Sequence, residues 1–246
     1  MLSFLKNHPF AVEAFFENSY VLTFAVPKER LENFIPECLE LDTFDNEFAF
    51  IAIAMVQTKG LKPKAFPKFM GNDFFLIGYR IFVKYTNNAG KRLRGLYILK
   101  SETDKRKMEM LGNIFTHYNY TTTDIVQIKH QNQIGIKSVK SDFKIILETE
   151  NENVPLPQNS PFKEWKEARK FAGPLPFTFT YHPVTKKVLI IEGVRENWTP
   201  APVKVVDYKF SFLDSLNLGD VNLANAFVMY SIPYYWKKGK IEIWNR

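Results

Sequence analysis

Three features of the sequence predict a β-dominated α+β fold. Phenylalanine occurs 23 times in 246 residues, and aromatics make up 15% of the chain. Flat rings pack well on pleated surfaces, so such a composition favours strands and large cores. Roughly ten segments read as strands and about three as short helices, which suits one β-rich domain over 1–246. Between two apolar runs, Asn87-Asn88-Ala89-Gly90 supplies residues that tolerate positive φ, the mark of a hairpin.

In chain order, Tyr20 to Val26 is rich in β-forming residues and is closed by Pro27. The i, i+3, i+4 stripe of Leu31, Phe34 and Ile35 predicts a short amphipathic helix. Phe48 to Val56 reads as a buried strand, with Ile51, Ile53 and Met55 on one face and Phe50, Ala52, Ala54 and Val56 on the other. Two alanines on a face leave space, for a closely packed helix or for a cavity. A basic loop is expected from Thr58 to Asn72, followed by the hairpin of Phe74–Tyr85 and Leu93–Ser101. A helix capped by Ser101 or Thr103 is expected near Asp104, with Met108, Leu111 and Phe115 buried and Gly112 at its end. Strands are expected at 124–130, 134–139 and 143–149, then a polar loop at 150–160. Ser160-Pro161 suits a helix start, Gly173-Pro174 its end, and a second hairpin turns at His182-Pro183. Strands over 203–213, 226–232 and 240–244 complete the pattern.

Composition narrows the chemistry. Cys38 is the single cysteine, which excludes an intramolecular disulfide framework and a multi-cysteine zinc site. Flanking acids raise a thiol's pKa, so an inert, buried Cys38 is expected. No leader-like segment opens the chain and the longest apolar run is too short to span a bilayer, so a cytoplasmic, membrane-free protein is expected. The net charge of +7 is spread over lysine clusters that lie in no nucleic-acid-binding motif, and a solvated surface is the expected reading. The four histidines have no ligand spacing, and the G-x-S-x-G, P-loop and dinucleotide fingerprints are missing. Neither metal nor cofactor is expected.

Candidate chemistry gathers between Arg94 and Tyr120. His117 and Tyr118 are candidates for proton transfer, although the same aromatics also suit core filling. Lys100 and Glu102 share a strand face. Lys100 is a candidate amine nucleophile if that face turns inward, or half of an ordinary ion pair if it does not. Arg80 interrupts the apolar strand Gly78-Tyr79-Arg80-Ile81-Phe82, and burying it requires a paired acid, such as Glu102 or Asp73, or a bound anion.

Several phrases resemble one family as a set: Ala25-Val26-Pro27, Phe34-Ile35-Pro36, Leu41-Asp42-Thr43-Phe44, the run Gly71 to Arg80, Gly95-Leu96-Tyr97, Ala172 to Phe177, and Trp198-Thr199-Pro200-Ala201-Pro202. From about Phe15 to Trp236 the chain resembles the bacterial family called domain of unknown function 2071, of the acetoacetate decarboxylase-like superfamily. The resemblance implies an antiparallel β-barrel or cone with a central cavity, short flanking helices and frequent self-association. In true acetoacetate decarboxylases a lysine pair follows a short helix, and one lysine forms a Schiff base with the substrate. Here the matching helix is followed by Asn113-Ile114-Phe115-Thr116-His117-Tyr118, with no lysine until Lys129. The expectation is therefore a cavity that binds a small acidic or apolar molecule, with Arg80, Tyr97 and Tyr120 contacting it. The alternative is an enzyme on small keto or hydroxy acids, a lyase or hydratase using His117, Tyr118, Lys100 or Glu102 without the Schiff-base lysine.

Overall fold

The computed structural model describes residues 4–149, 153–196 and 199–245. Met1 to Ser3, the first residues of the polar loop at 150–152, and Trp198 of the last family phrase lie outside the described residues. The strands are β1 (Val12–Pro27), β2 (Glu40–Leu41), β3 (Phe48–Pro63), β4 (Asn72–Thr86), β5 (Arg92–Thr103), β6 (Tyr120–Thr122), β7 (Val126–His130) and β8 (Gln133–Ser138). They continue with β9 (Phe143–Glu148), β10 (Phe177–His182), β11 (Lys187–Arg195), β12 (Ala201–Pro202), β13 (Lys204–Phe210), β14 (Asn222–Trp236) and β15 (Lys240–Ile243). Among the described residues three α-helices lie between them: α1 (Arg106–Phe115), α2 (Trp165–Ala172) and α3 (Ser211–Ser215).

The larger sheet runs β12-β14-β1-β3-β4-β5-β10-β11-β15, and a further β11–β14 pairing closes its middle into a ring. The ring pairings are antiparallel except β5–β10, which is parallel. A ring leaves its members without free edges, and it turns the two-residue alternation of each strand into an inside and an outside. Outside, Ile51, Ile53 and Met55 of β3 pack with Ile136, Ile145, Leu147 and Phe210 of a second sheet, β13-β9-β8-β7. Burying each such side chain contributes about 1.5–3 kcal/mol, so this interface is a main source of stability. Inside, Phe50 stacks on Phe162 at 5.6 Å and meets Phe171 at 5.2 Å, and α2 seals that end of the ring. At the other end α1 lies over Phe74 and Tyr120.

Several elements differ from expectation for identifiable reasons. The stripe of Leu31, Phe34 and Ile35 sits on two 3-10 turns, Lys28–Arg30 and Glu32–Phe34, because Pro36 stops an α-helix from forming around them. Half of the expected basic loop is strand, since β3 runs on to Pro63 opposite β1. Helix α1 passes through Gly112 to Phe115, and Thr116 closes it by donating from N and Oγ1 to the Gly112 carbonyl. Gly112 is there for space, because a Cβ would lie 2.3 Å from the Tyr120 ring. Neither Ser101 nor Thr103 caps that helix, which begins after Lys105. Cys38 is buried, and burial pushes its thiol up to about 12.

Candidate functional site: an arginine-bearing cavity

Small residues open the interior of the ring. Ala52 and Ala54 of β3 face inward and, with Val21 of β1 and Phe227 of β14, wall a cavity of about 130 Å³. The turn after α2, Ala172 to Pro176, closes over it. Opposite Ala52 in the β3–β4 register stands Arg80, and opposite Ala54 stands Gly78. That pairing determines where the charge sits. A Cβ on Gly78 would lie 2.9 Å from Arg80 Nε and 3.0 Å from Nη2, so the guanidinium folds back over the bare glycine. The same Gly-x-Arg spacing recurs on β11, where Arg195 also lines the cavity. There Gly193 makes room for the hydroxyl of Tyr234, which would be 1.9 Å from a Cβ.

Arg80 is electrostatically unusual. Among the described residues the buried carboxylates are paired. Asp42 takes Arg94 at 2.6 Å and Lys84 at 3.4 Å, and Glu102 takes Lys100 at 2.8 Å. Glu242 takes Lys240 at 2.7 Å, the Tyr85 hydroxyl and the Asn88 N–H. Among the described residues Arg80 makes no ion pair or hydrogen bond, and its Nε is buried without a partner. Burial lowers its pKa, and the nearby cation of Arg195 works in the same direction. Among the described residues no Asp or Glu lines the cavity. Arg195 itself donates to the Leu175 carbonyl at 2.8 Å and lies over the Tyr234 ring. A buried guanidinium such as that of Arg80 is costly while no anion is beside it.

Tyrosines complete the wall. Tyr118 shares a 2.7 Å hydrogen bond with Thr178 of β10, and burial pushes its phenol up to about 12. Tyr120 is raised further by burial, so both phenols are neutral and able to donate. Asn113 of α1 fixes this segment, accepting from the Tyr120 N–H at 2.9 Å and donating to its carbonyl at 2.8 Å.

Of the residues expected at the site, the structure brings together Arg80, Tyr118 and Tyr120. Lys100 and Glu102 do share a face, but it is the outer one. A bulge between Tyr79↔Lys100 and Arg80↔Ile98 inserts Leu99, so Ile98 and Ser101 face the cavity while Lys100 lies over the Phe212 ring outside. Glu102 is consumed by Lys100 and by the hydroxyl of Tyr79, and Asp73 by Lys59 and the Gly60 N–H. Neither therefore reaches Arg80. Tyr97 packs on the outer core cluster beside Cys38. His117 turns away from its neighbour Tyr118 into a surface cleft with Lys6, Asn113 and His182, and burial lowers its pKa. Sequence reading overlooked Arg195, Thr178 and Tyr234. The repeated Gly-x-Arg, 78–80 and 193–195, was the available signal for the first of these.

A family model described as an uncharacterized conserved protein, domain of unknown function 2071, matches residues 14–235. No curated protein matches the sequence. Among solved structures, an acetoacetate decarboxylase-like enzyme from Sphingomonas wittichii RW1 is similar with a TM-score of 0.60 at 11% identity, covering 95% of this chain and 93% of that one. Acetoacetate decarboxylase from Legionella pneumophila gives 0.59 at 8% identity, over 94% and 86%. The enduracididine biosynthesis enzyme MppR complexed with pyruvate gives 0.54 at 10% identity, over 95% and 90%. At these identities the likeness is one of fold.

Proposed function

The chain belongs to the domain of unknown function 2071 family, and we propose that its ring holds one small organic acid, with the carboxylate on Arg80. The observation that carries this reading is an inward guanidinium for which no described residue supplies a counter-charge, in a chamber lined, among those residues, by no acid. A bidentate carboxylate supplies what Arg80 lacks, and Arg195 and the neutral phenol of Tyr118 are placed to add to it. A similarly folded protein, MppR, is complexed with pyruvate, which supports an acid of that size.

Calorimetric titration of propionate, pyruvate and the uncharged propionamide tests the assignment. Both acids bind the wild-type chain and the amide does not, while Arg80→Gln weakens the acids by at least about tenfold. Equal binding of acid and amide, or undiminished affinity in the variant, overturns it.

A second reading, an enzyme acting on keto or hydroxy acids, is favoured by Tyr118, a neutral phenol on the wall able to deliver a proton to a bound oxygen. Among the described residues no lysine lines the cavity, so this reading has the chemistry proceed without an imine on the protein. Borohydride added with pyruvate leaves the mass of the chain unchanged under this reading, whereas a covalent adduct contradicts it.

A further inference from the structure

A second cavity, of about 170 Å³, lies between α1 and the ring. Its walls are mostly apolar: Phe10, Leu61, Phe74, Met108, Leu111 and Phe115. The cation at its edge, Lys62, is taken by Glu13. His8, also in the wall, is kept towards its neutral form by burial. Five side chains, Phe16, Leu76, Tyr118, Tyr120 and Trp236, belong to the walls of both cavities. The charged chamber and the apolar chamber are thus separated by a single layer of side chains. Gly112 contributes to that closeness, since α1 can lie flat on the Tyr120 ring only where it has no Cβ.

We propose that the two chambers form one site for an amphipathic carboxylic acid, with the head on Arg80 and an aliphatic tail passing through this layer into the pocket under α1. The proposal rests on the acid-binding reading above and adds the chemical class of the tail. An apolar chamber favours occupation by hydrocarbon in proportion to the area removed from water. Each methylene that reaches it strengthens binding by roughly fourfold. Short acids leave the second chamber unused and bind weakly.

The chain carries its own reporters, because Met229 lines the first chamber and Met108 the second. The full-length protein, labelled with ¹³C at the methionine methyls, is titrated with acetate, butanoate, hexanoate and octanoate by calorimetry and by nuclear Overhauser spectroscopy. The expected result is affinity that climbs steeply with chain length, with the C2 methylene of octanoate near Met229 and its terminal methyl near Met108. Leu111→Trp, which fills the second chamber from the half-buried face of α1, flattens the series and leaves acetate unaffected. If that variant does not fold, the wild-type Overhauser contacts decide alone. Acids that bind with length-independent affinity, or an octanoate that touches Met229 only, overturn the tail assignment and leave the Arg80 reading standing. Failure of every acid to bind overturns both.

Discussion

At the scale of single residues, the chemistry depends on which charges find partners inside the protein. Asp42, Glu102 and Glu242 are each held by a cation, so they are structural groups. Arg80 has no such partner among the described residues, and the proposed carboxylate would supply one. That imbalance has a measurable consequence. Arg80→Met keeps the stem's packing and removes the poorly solvated charge, so it is expected to stabilise the unliganded protein by about 1–4 kcal/mol in urea unfolding. An unchanged or lowered midpoint indicates that Arg80 is already satisfied by the protein. Acid at a hundredfold excess over its Kd stabilises the wild type by about 2.7 kcal/mol and leaves the variant where it was. Arg80 was legible in the sequence because a lone arginine among Phe and Tyr is conspicuous. Its solitude was not legible, since Glu102 and Asp73 were plausible partners until β4 and β5 could be seen in register.

At the scale of elements, the bulge at Leu99 decides the role of Lys100. Parity along β5 correctly put Lys100 and Glu102 on one face. Which face turned inward depended on a one-residue shift that flips every later side chain, and a bulge leaves no mark in composition or periodicity. The outcome is an ion pair over Phe212 on the outside of the ring. Lys100→Met is therefore expected to leave acid binding unchanged. It removes the cation from Glu102, which is 1% exposed, and lowers unfolding stability by about 1.5–3 kcal/mol, the magnitude of a lost charge-assisted hydrogen bond. Loss of acid affinity in a folded Lys100→Met protein, measured by the same calorimetry, is the contrary result. His117 and Tyr118 teach a related lesson. Adjacent residues point apart, so the cluster of polar groups after α1 divides between a surface cleft and the cavity wall. Helix α1 itself was visible from Met108, Leu111 and Phe115, but its length was not. Gly112, a stop signal by type, is here a contact made possible by the missing side chain.

At the scale of the whole molecule, ring closure creates the cavity. Arg80 and Arg195 are far apart in sequence and meet because β14 pairs with both β1 and β11. The seam is short, Gly193 to Arg195 opposite Trp236 to Tyr234, and it places the second arginine and Tyr234 at the cavity. The β-rich class, the main hairpins and the alanine-lined face could be read from local pattern. The β11–β14 seam could not, because long-range pairing of two strands is written in neither one alone. The fold is thereby arranged so that one end of the interior is plugged by Phe50, Phe162 and Phe171 and the other is covered by α1, with the charge between them. The most direct test of this arrangement is a crystal structure of the chain with propionate. The account expects one carboxylate inside the ring with oxygens about 2.7–2.9 Å from the guanidinium nitrogens of Arg80. An acid bound elsewhere, or Arg80 swung onto a protein carboxylate with the chamber collapsed, would contradict it.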